Sequence, residues 1–283
     1  MLRYKNLSSG STGNATLVEV SGESSAVSNR KPSRVLVDCG MRLSRLLELL
    51  AVADVPPADI DAIFITHEHS DHIGCVTQLA SRYSIPVWAS SGTHAALQDM
   101  QLKLRAKQPT HSQLLPLISG FEALVRIASD TCPIEVGDLQ LNPFTVPHDA
   151  REPLQLTCSD GNVKLGILTD LGHASRHVID SIAGCNALLL ESNHDEEMLS
   201  NSKYPAFLKA RVGGDFGHLS NAQAAEVLSA VMHDKLRHVS AAHLSQQNNH
   251  PSLAQSALAD VLGCLPADIF AACPETGTPW MTV

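Results

Sequence analysis

The chain has 283 residues, 44% of them hydrophobic, and a net charge of −9 with its histidines neutral. That is room for one large or two small domains of ordinary soluble composition. No run of about 18 apolar residues offers a membrane span, and the negative balance argues against a protein that coats nucleic acid by charge alone. The seven cysteines are scattered and form no CxxC, so they read as reduced thiols, not a disulfide framework. The start, MLRYKNLSSG, lacks the apolar core of a signal peptide, so the expectation is a cytoplasmic protein.

Two strands come first, LRYKNL and ATLVEV, joined by the small polar loop SSGSTGN. The polar stretch at residues 21–33 reads as a long hairpin loop before a strand in RVLVDCG. RLSRLLELLAVA has helical periodicity, with Ser44 as its cap, and VPPADI is a turn. The apolar run Ala62–Ile65 is a short buried strand. CVTQLASRYS then reads as helix, PVWAS as strand and GTHAALQDMQLKLRAKQ as helix. Residues 120–170 are strand-rich: FEALVRI, CPIEVGDLQLNPFTVPH, LQLTCSD and VKLGILTDLG. Helix HVIDSIAG, strand ALLLES, helix NAQAAEVLSAVM, strand HVSAAHLS and helix PSLAQSALADVLG complete the chain. Hairpins followed by strand–helix alternation give an α/β protein with helix-covered sheets. No repeat or linker divides it, so one domain over residues 1–283 is expected.

The strand Ala62–Ile65 runs directly into THEHSDHIG. Three imidazoles and a carboxylate within six residues are hard to explain by packing. His67 and His69 stand two apart, so in extended chain they point the same way and reach one cation. Asp71 and His72 turn away and serve a second. A two-metal hydrolytic site holds its ions about 3.5–4 Å apart, and further ligands must come from other strand ends. His148 in FTVPHDA, Asp170 in GILTDLG and His243 in VSAAHLS each follow an apolar run. Imidazole and carboxylate ligands suit zinc, manganese or iron, and no cysteine falls among them.

With these residues in view, the chain resembles the metallo-β-lactamase-fold hydrolases. The resemblance implies a four-layer αββα sandwich with a dinuclear site at one edge of its two sheets. It implies that His67, His69 and His148 hold one ion and Asp71, His72 and His243 the other. Asp170 would bridge them, with a water or hydroxide as nucleophile. Asp38 in LVDCG matches a structural aspartate of the family. The blocks LSSGSTGNATLVE, VDCGM, THEHSDHIGCV, ESNHD, GHLSNAQAAEVL and AHLSQQNN are similar to the YycJ/WalJ-like branch and span nearly the whole chain. Members of that branch are cytoplasmic and thought to be DNA exonucleases working from 5′ ends, related to ribonuclease Z and the β-CASP nucleases. LLLESNHD followed by GHLSN resembles the Glu and His-Ser-Thr elements of ribonuclease Z. That implies that His218 protonates the leaving oxygen and Glu191 orients it, as an imidazole can near neutral pH. Asp71, Glu191 and His218 are thus the candidate catalytic residues. The branch match favours a substrate-side role for Ser9, Ser11 and Asn14 in SSGSTGN, and KYPAFLKARVGGDFGH offers Lys203, Lys209 and Arg211 to phosphates.

The function expected is a dinuclear metal-dependent phosphodiesterase, a 5′ to 3′ DNA exonuclease serving DNA repair. It would carry two divalent ions, zinc or manganese with iron as a third option. DNA is its expected partner as substrate, with no membrane and an open oligomeric state. The alternative is a small-molecule metallohydrolase acting on a lactone, a thioester or a cyclic phosphodiester, since one metal cage supports all of these. The GHLSN histidine discriminates, because an alkoxide leaves better with a general acid and a thiolate needs none. A non-catalytic scaffold is disfavoured by the complete ligand set.

Overall fold

The computed structural model describes residues 1–22, 31–107 and 120–283, and for residues 104–107 the backbone alone. Most of the polar stretch expected as a long hairpin loop, and Gln108 at the end of the expected helix, lie outside the described residues. Fourteen strands form two seven-stranded sheets among the described residues. The first runs β14-β1-β2-β3-β4-β5-β6, with β1 at Leu2–Ser8, β2 at Ala15–Val20, β3 at Ser33–Val37, β4 at Ala62–Phe64, β5 at Val87–Ala89, β6 at Val125–Ile127 and β14 at Met281–Thr282. The second runs β13-β12-β11-β10-β9-β8-β7, with β7 at Ile134–Val136, β8 at Leu139–Thr145, β9 at Leu154–Ser159, β10 at Lys164–Leu168, β11 at Ala187–Glu191, β12 at His238–Ala242 and β13 at Phe270–Ala271.

Each sheet starts antiparallel and ends parallel. β1 to β3 pair antiparallel and β3 to β6 parallel. In the second sheet β7 to β10 pair antiparallel and β10 to β13 parallel. Parallel strands need helical crossovers, which cover the outer faces. Helices α1 (Leu43–Val52), α3 (Val76–Tyr83) and α4 (Ser91–Lys107) accompany the first sheet. Helices α5 (Arg176–Ile182), α8 (Asn221–Val231) and α9 (Pro251–Leu262) accompany the second.

The strands carry near-continuous apolar runs because both faces are buried. On β3, Val35 and Val37 point between the sheets, while Leu36 joins Leu46, Leu50 and Leu79 beneath the helices. On β11, Ala187 and Leu189 point between the sheets, while Leu188 and Leu190 meet Val178, Val227 and Leu258. Three apolar layers between four structural layers make the αββα sandwich that the family resemblance implied.

Two local expectations are corrected. Ser44 does not cap α1: the capping position is Arg42, which makes no side-chain cap bond, and Ser44 is already inside the helix. FEALVRI is not strand throughout, since only Val125–Ile127 pairs with β5 and Phe121 is buried under the first helix layer. Three short helices went unread: α2 (Ser70–Ile73), α6 (Glu196–Asn201) and α7 (Ala206–Val212). No helix among the described residues is long and apolar enough to cross a membrane.

Candidate metal centre

Ligands in open α/β sheets gather in the crevice at the carboxyl ends of the strands. Here β3, β4, β8, β10, β11 and β12 end at one rim, and each supplies a polar residue there. Asp38 follows β3, His67 follows β4, His148 follows β8, Asp170 follows β10, Glu191 closes β11 and His243 follows β12. Asp71 and His72 sit on the single turn of α2.

Three of these residues hold left-handed backbone that L side chains rarely adopt: Asp38 (φ 60°), Asp170 (φ 56°) and His243 (φ 55°). Each costs on the order of 1–3 kcal/mol, which the surrounding packing must offset. The bends turn each side chain back across its strand end. Gly40 allows the closest approach, because a Cβ there would collide with the Asp71 carbonyl. Cys39 N–H donates to the His72 carbonyl (2.9 Å), tying the loop after β3 to the turn of α2.

The imidazoles share one design. His67 Nδ1 donates to Thr66 Oγ1 (3.0 Å), His72 Nδ1 to Asp38 Oδ2 (2.8 Å), His148 Nδ1 to the Gly217 carbonyl (3.1 Å) and His243 Nδ1 to Glu191 Oε1 (2.8 Å). That fixes the tautomer and leaves Nε2 with its lone pair. His69 is the exception, turning Nδ1 inward to lie 3.3 Å from His148 Nε2.

Candidate ligand atoms fall within 4.8 Å of one another in four overlapping groups. His67, His69 and His148 form one, and Asp71, His72 and His243 another. Asp170 belongs with His67 and His72 in a third, and with Glu191, His218 and His243 in the fourth, so it stands between the first two. Its Oδ2 is 3.2 Å from His72 Nε2, and its Oδ1 is 4.0 Å from His148 Nε2.

Burial works against charge on all these groups. At His67 and His148 it prevails and holds both imidazoles below the ordinary value, neutral as ligation requires. At His72 the Asp170 and Asp38 carboxylates outweigh it and push the pKa well up. At His243, Asp170, Asp71 and Glu191 raise it to about 10. Against burial, His243 and His72 hold Asp170 well below the carboxylate range, while His218 and His243 hold Glu191 at about 2. His67 Nε2, His243 Nε2 and Asp170 Oδ2 are buried with no hydrogen-bond partner. An N/O donor set with orphaned inward atoms and fixed tautomers fits divalent cations such as zinc or manganese.

Glu191 is fully buried and ties the rim together. Its Oε1 accepts from His218 Nδ1 (3.0 Å) and His243 Nδ1 (2.8 Å), and its Oε2 from the Leu171 and Leu219 amides (3.1 Å each). His218 is partly exposed beside the cluster, 3.6 Å from Asp170 Oδ1.

The other sequence candidates divide. Ser9 Oγ is buried and accepts from the His243 amide (2.7 Å). Asn14 Oδ1 accepts from Gly10 N–H, and its Nδ2 lies 3.1 Å from His72 Nε2. Ser11 is exposed at the loop tip. The Gly10 and Gly13 amides are spent inside the turn, so those two do not face a phosphate. Lys209 Nζ reaches the Ser200 carbonyl, and Arg211 Nε donates to Asp149 Oδ2 (2.6 Å). Asp149 went unread. Its Oδ1 lies 3.5 Å from His148 Nε2 and 3.7 Å from His69 Nε2. Its place beside His148 in sequence was the only available signal, since its partner Arg211 lies 62 residues away.

A model of the beta-lactamase superfamily domain matches residues 33–239. Exodeoxyribonuclease YycJ of Bacillus anthracis is 33% identical over 261 residues, covering 92% of this chain and 89% of that protein. Exodeoxyribonuclease WalJ of Streptococcus pneumoniae serotype 2 is 31% identical over 283 residues, covering 98% and 96%. Among solved structures, the metallo-β-lactamase-fold protein YhfI from Bacillus subtilis superposes with a TM-score of 0.66 at 15% identity, covering 100% of both chains.

Proposed function

The chain belongs to the beta-lactamase superfamily as a metal-dependent hydrolase of the YycJ/WalJ branch, and from that premise we propose that it is a DNA exonuclease working 5′ to 3′ in DNA repair. The observation that carries the reading is the pairing of a two-part ligand cluster with a histidine beside it, His218, held by Glu191 at 3.0 Å. A phosphodiester needs both: charge on the phosphate and a proton for the departing alkoxide.

In this reading His67, His69 and His148 would hold one divalent ion and Asp71, His72 and His243 a second, with Asp170 available to both sets. Zinc or manganese bound there would supply Lewis-acid charge to the scissile phosphate and a nucleophile at neutral pH. The protein's own residues do the rest. Glu191 accepts the His218 Nδ1 proton and so aims Nε2 outward, to deliver a proton to the leaving oxygen. Glu191 also orients His243, so the acid and a ligand share one anchor. Arg211, held at the rim by Asp149, meets the neighbouring phosphate, as do Lys209 and the loop-tip Ser11. Ser9 and Asn14 position His243 and His72 behind the substrate.

The test is incubation of the purified protein and Mn²⁺ with end-labelled single-stranded and duplex DNA, with Asp71→Ala as the blank. Shortening from the 5′ end, absent in the blank, is expected. Intact DNA alongside hydrolysis of a lactone or a generic phosphodiester would overturn the DNA reading.

A further inference from the structure

The chain holds only six phenylalanines, two tryptophans and three tyrosines. Two of the six phenylalanines stand in solvent within one short segment, Phe207 at 74% exposure and Phe216 at 60%. Leaving an apolar side chain of this size in water forgoes roughly 1.5–3 kcal/mol of burial. A single exposed ring needs no explanation; two at the rim of a reaction centre do.

Their placement is specific. Phe207 and Arg211 stand four residues apart on α7, hence on one face of that helix, with Cβ atoms about 5–6 Å apart. Arg211 Nε is bonded to Asp149 Oδ2 (2.6 Å), and Asp149 Oδ1 lies within 3.7 Å of His69 Nε2. The helix face therefore begins at the ligand cluster and carries Phe207 one turn outward. Phe216 approaches Asp149 by another route: its carbonyl accepts from the Asp149 amide (3.1 Å), two residues before His218. The two phenylalanines thus belong to one exposed segment tied to Asp149 at both ends, through Arg211 and through the Phe216 carbonyl. The segment 203–218 is also locally basic, with Lys203, Lys209 and Arg211 against Asp215, in a chain of net charge −9.

Exposed rings beside cations, at a centre that acts on phosphates, are what an unpaired polynucleotide strand requires. Each base stacks by its π-face whatever its identity, and cations track the backbone. Building on the nuclease reading, we propose that Phe216 and Phe207 form a stacking platform for two successive unpaired bases of the substrate strand, Phe216 taking the base nearest His218. The platform makes the enzyme select frayed or single-stranded ends without reading sequence, because stacking supplies affinity that hydrogen bonds to base edges do not.

The experiment compares the metal-loaded enzyme with Phe207→Ala, Phe216→Ala, the double variant and Phe216→Trp, on a single-stranded oligonucleotide and on the same strand with its two 5′-terminal bases removed as abasic sites. Both positions are exposed, so folding is not at issue. For the wild type, base removal should raise KM by about five- to 150-fold per stacked base. Each Ala variant should raise KM similarly on the intact strand, the double variant should no longer distinguish intact from abasic strand, and Phe216→Trp should restore KM. An unchanged KM in the double variant, or an equal rise on intact and abasic strands, overturns the platform. A change in oligomeric state alone would assign the rings to a second copy of the chain and also overturn it. If the wild type cleaves no DNA, the nuclease reading falls first, which is a distinct result from a nuclease indifferent to its bases.

Discussion

Two buried glutamates, Glu19 on β2 and Glu191 on β11, show opposite ways of accommodating a charge inside this sandwich. Glu19 is answered by the chain itself: Arg3 Nε donates to Oε1 (2.7 Å) and Arg34 Nε to Oε2 (2.6 Å). Two fixed guanidiniums outweigh the cost of burial and hold Glu19 below its usual range. Glu191 is answered by two backbone amides and by imidazoles, His218 and His243, with no guanidinium bonded to it. It stands in a cluster with Asp170, and the Arg211 guanidinium at that rim is engaged by Asp149. A carboxylate cluster with permanent cations is finished when the chain folds. One whose counter-charge is carried by histidines is finished by ions from solution. The first arrangement stabilises and the second performs chemistry.

Within this comparison the largest effect should come from removing the group that Glu191 orients. His218→Ala should slow DNA hydrolysis by about 10²–10⁴-fold, the usual range for a general acid, with metal content unchanged; steady-state rates check it, and a change under about threefold would separate His218 from the chemistry. The other glutamate should behave inversely. Glu19→Gln should leave activity per folded molecule intact and cost about 1–3 kcal/mol in denaturant unfolding, because it removes the charge facing Arg3, which is partly solvated, and leaves Arg34 only its 3.5 Å contact with Asp59. pH sharpens the contrast further. A depressed carboxylate pKa contributes stability above its unfolded value and loses it as pH falls through the folded one. The wild type should therefore approach Glu19→Gln in stability as pH drops below about 4.5, the ordinary value from which Glu19 is lowered. A gap that stays constant would mean the arginines do not hold that charge.

The two regions also differ in what their sequence gives away. His67, His69, Asp71 and His72 are legible because one strand end and one helical turn carry all four. His148, Asp170 and His243 are legible because each follows an apolar strand, where the sheet must open to water. The hairpins followed by strand–helix alternation made the α/β class readable, whereas the sandwich came from the family resemblance, because Val35, Leu36 and Val37 are all apolar and their split between two layers shows only in the structure. Asp149 was not readable as a rim residue, since that depends on Arg211 folding back against it. Nor were Phe207 and Phe216, because a phenylalanine in sequence looks like core until the exposed face of α7 is seen. The Glu19 cluster was equally hidden, as Arg3, Glu19 and Arg34 meet only when β1, β2 and β3 pair in register. Ser44 misled because a serine near a helix start is a common cap, yet α1 begins before it.

The central claim is that the Glu191 side of this comparison is a charge deficit filled by two cations, and metal titration of the stripped protein tests it most directly. Calorimetry at neutral pH with Mn²⁺ or Zn²⁺ should find two ions per chain, and fewer in Asp170→Asn, a substitution that keeps the shape and tolerates the left-handed backbone while removing the charge between the two ligand sets. Binding of no ion by the wild type, or of two ions undiminished in Asp170→Asn, would contradict it.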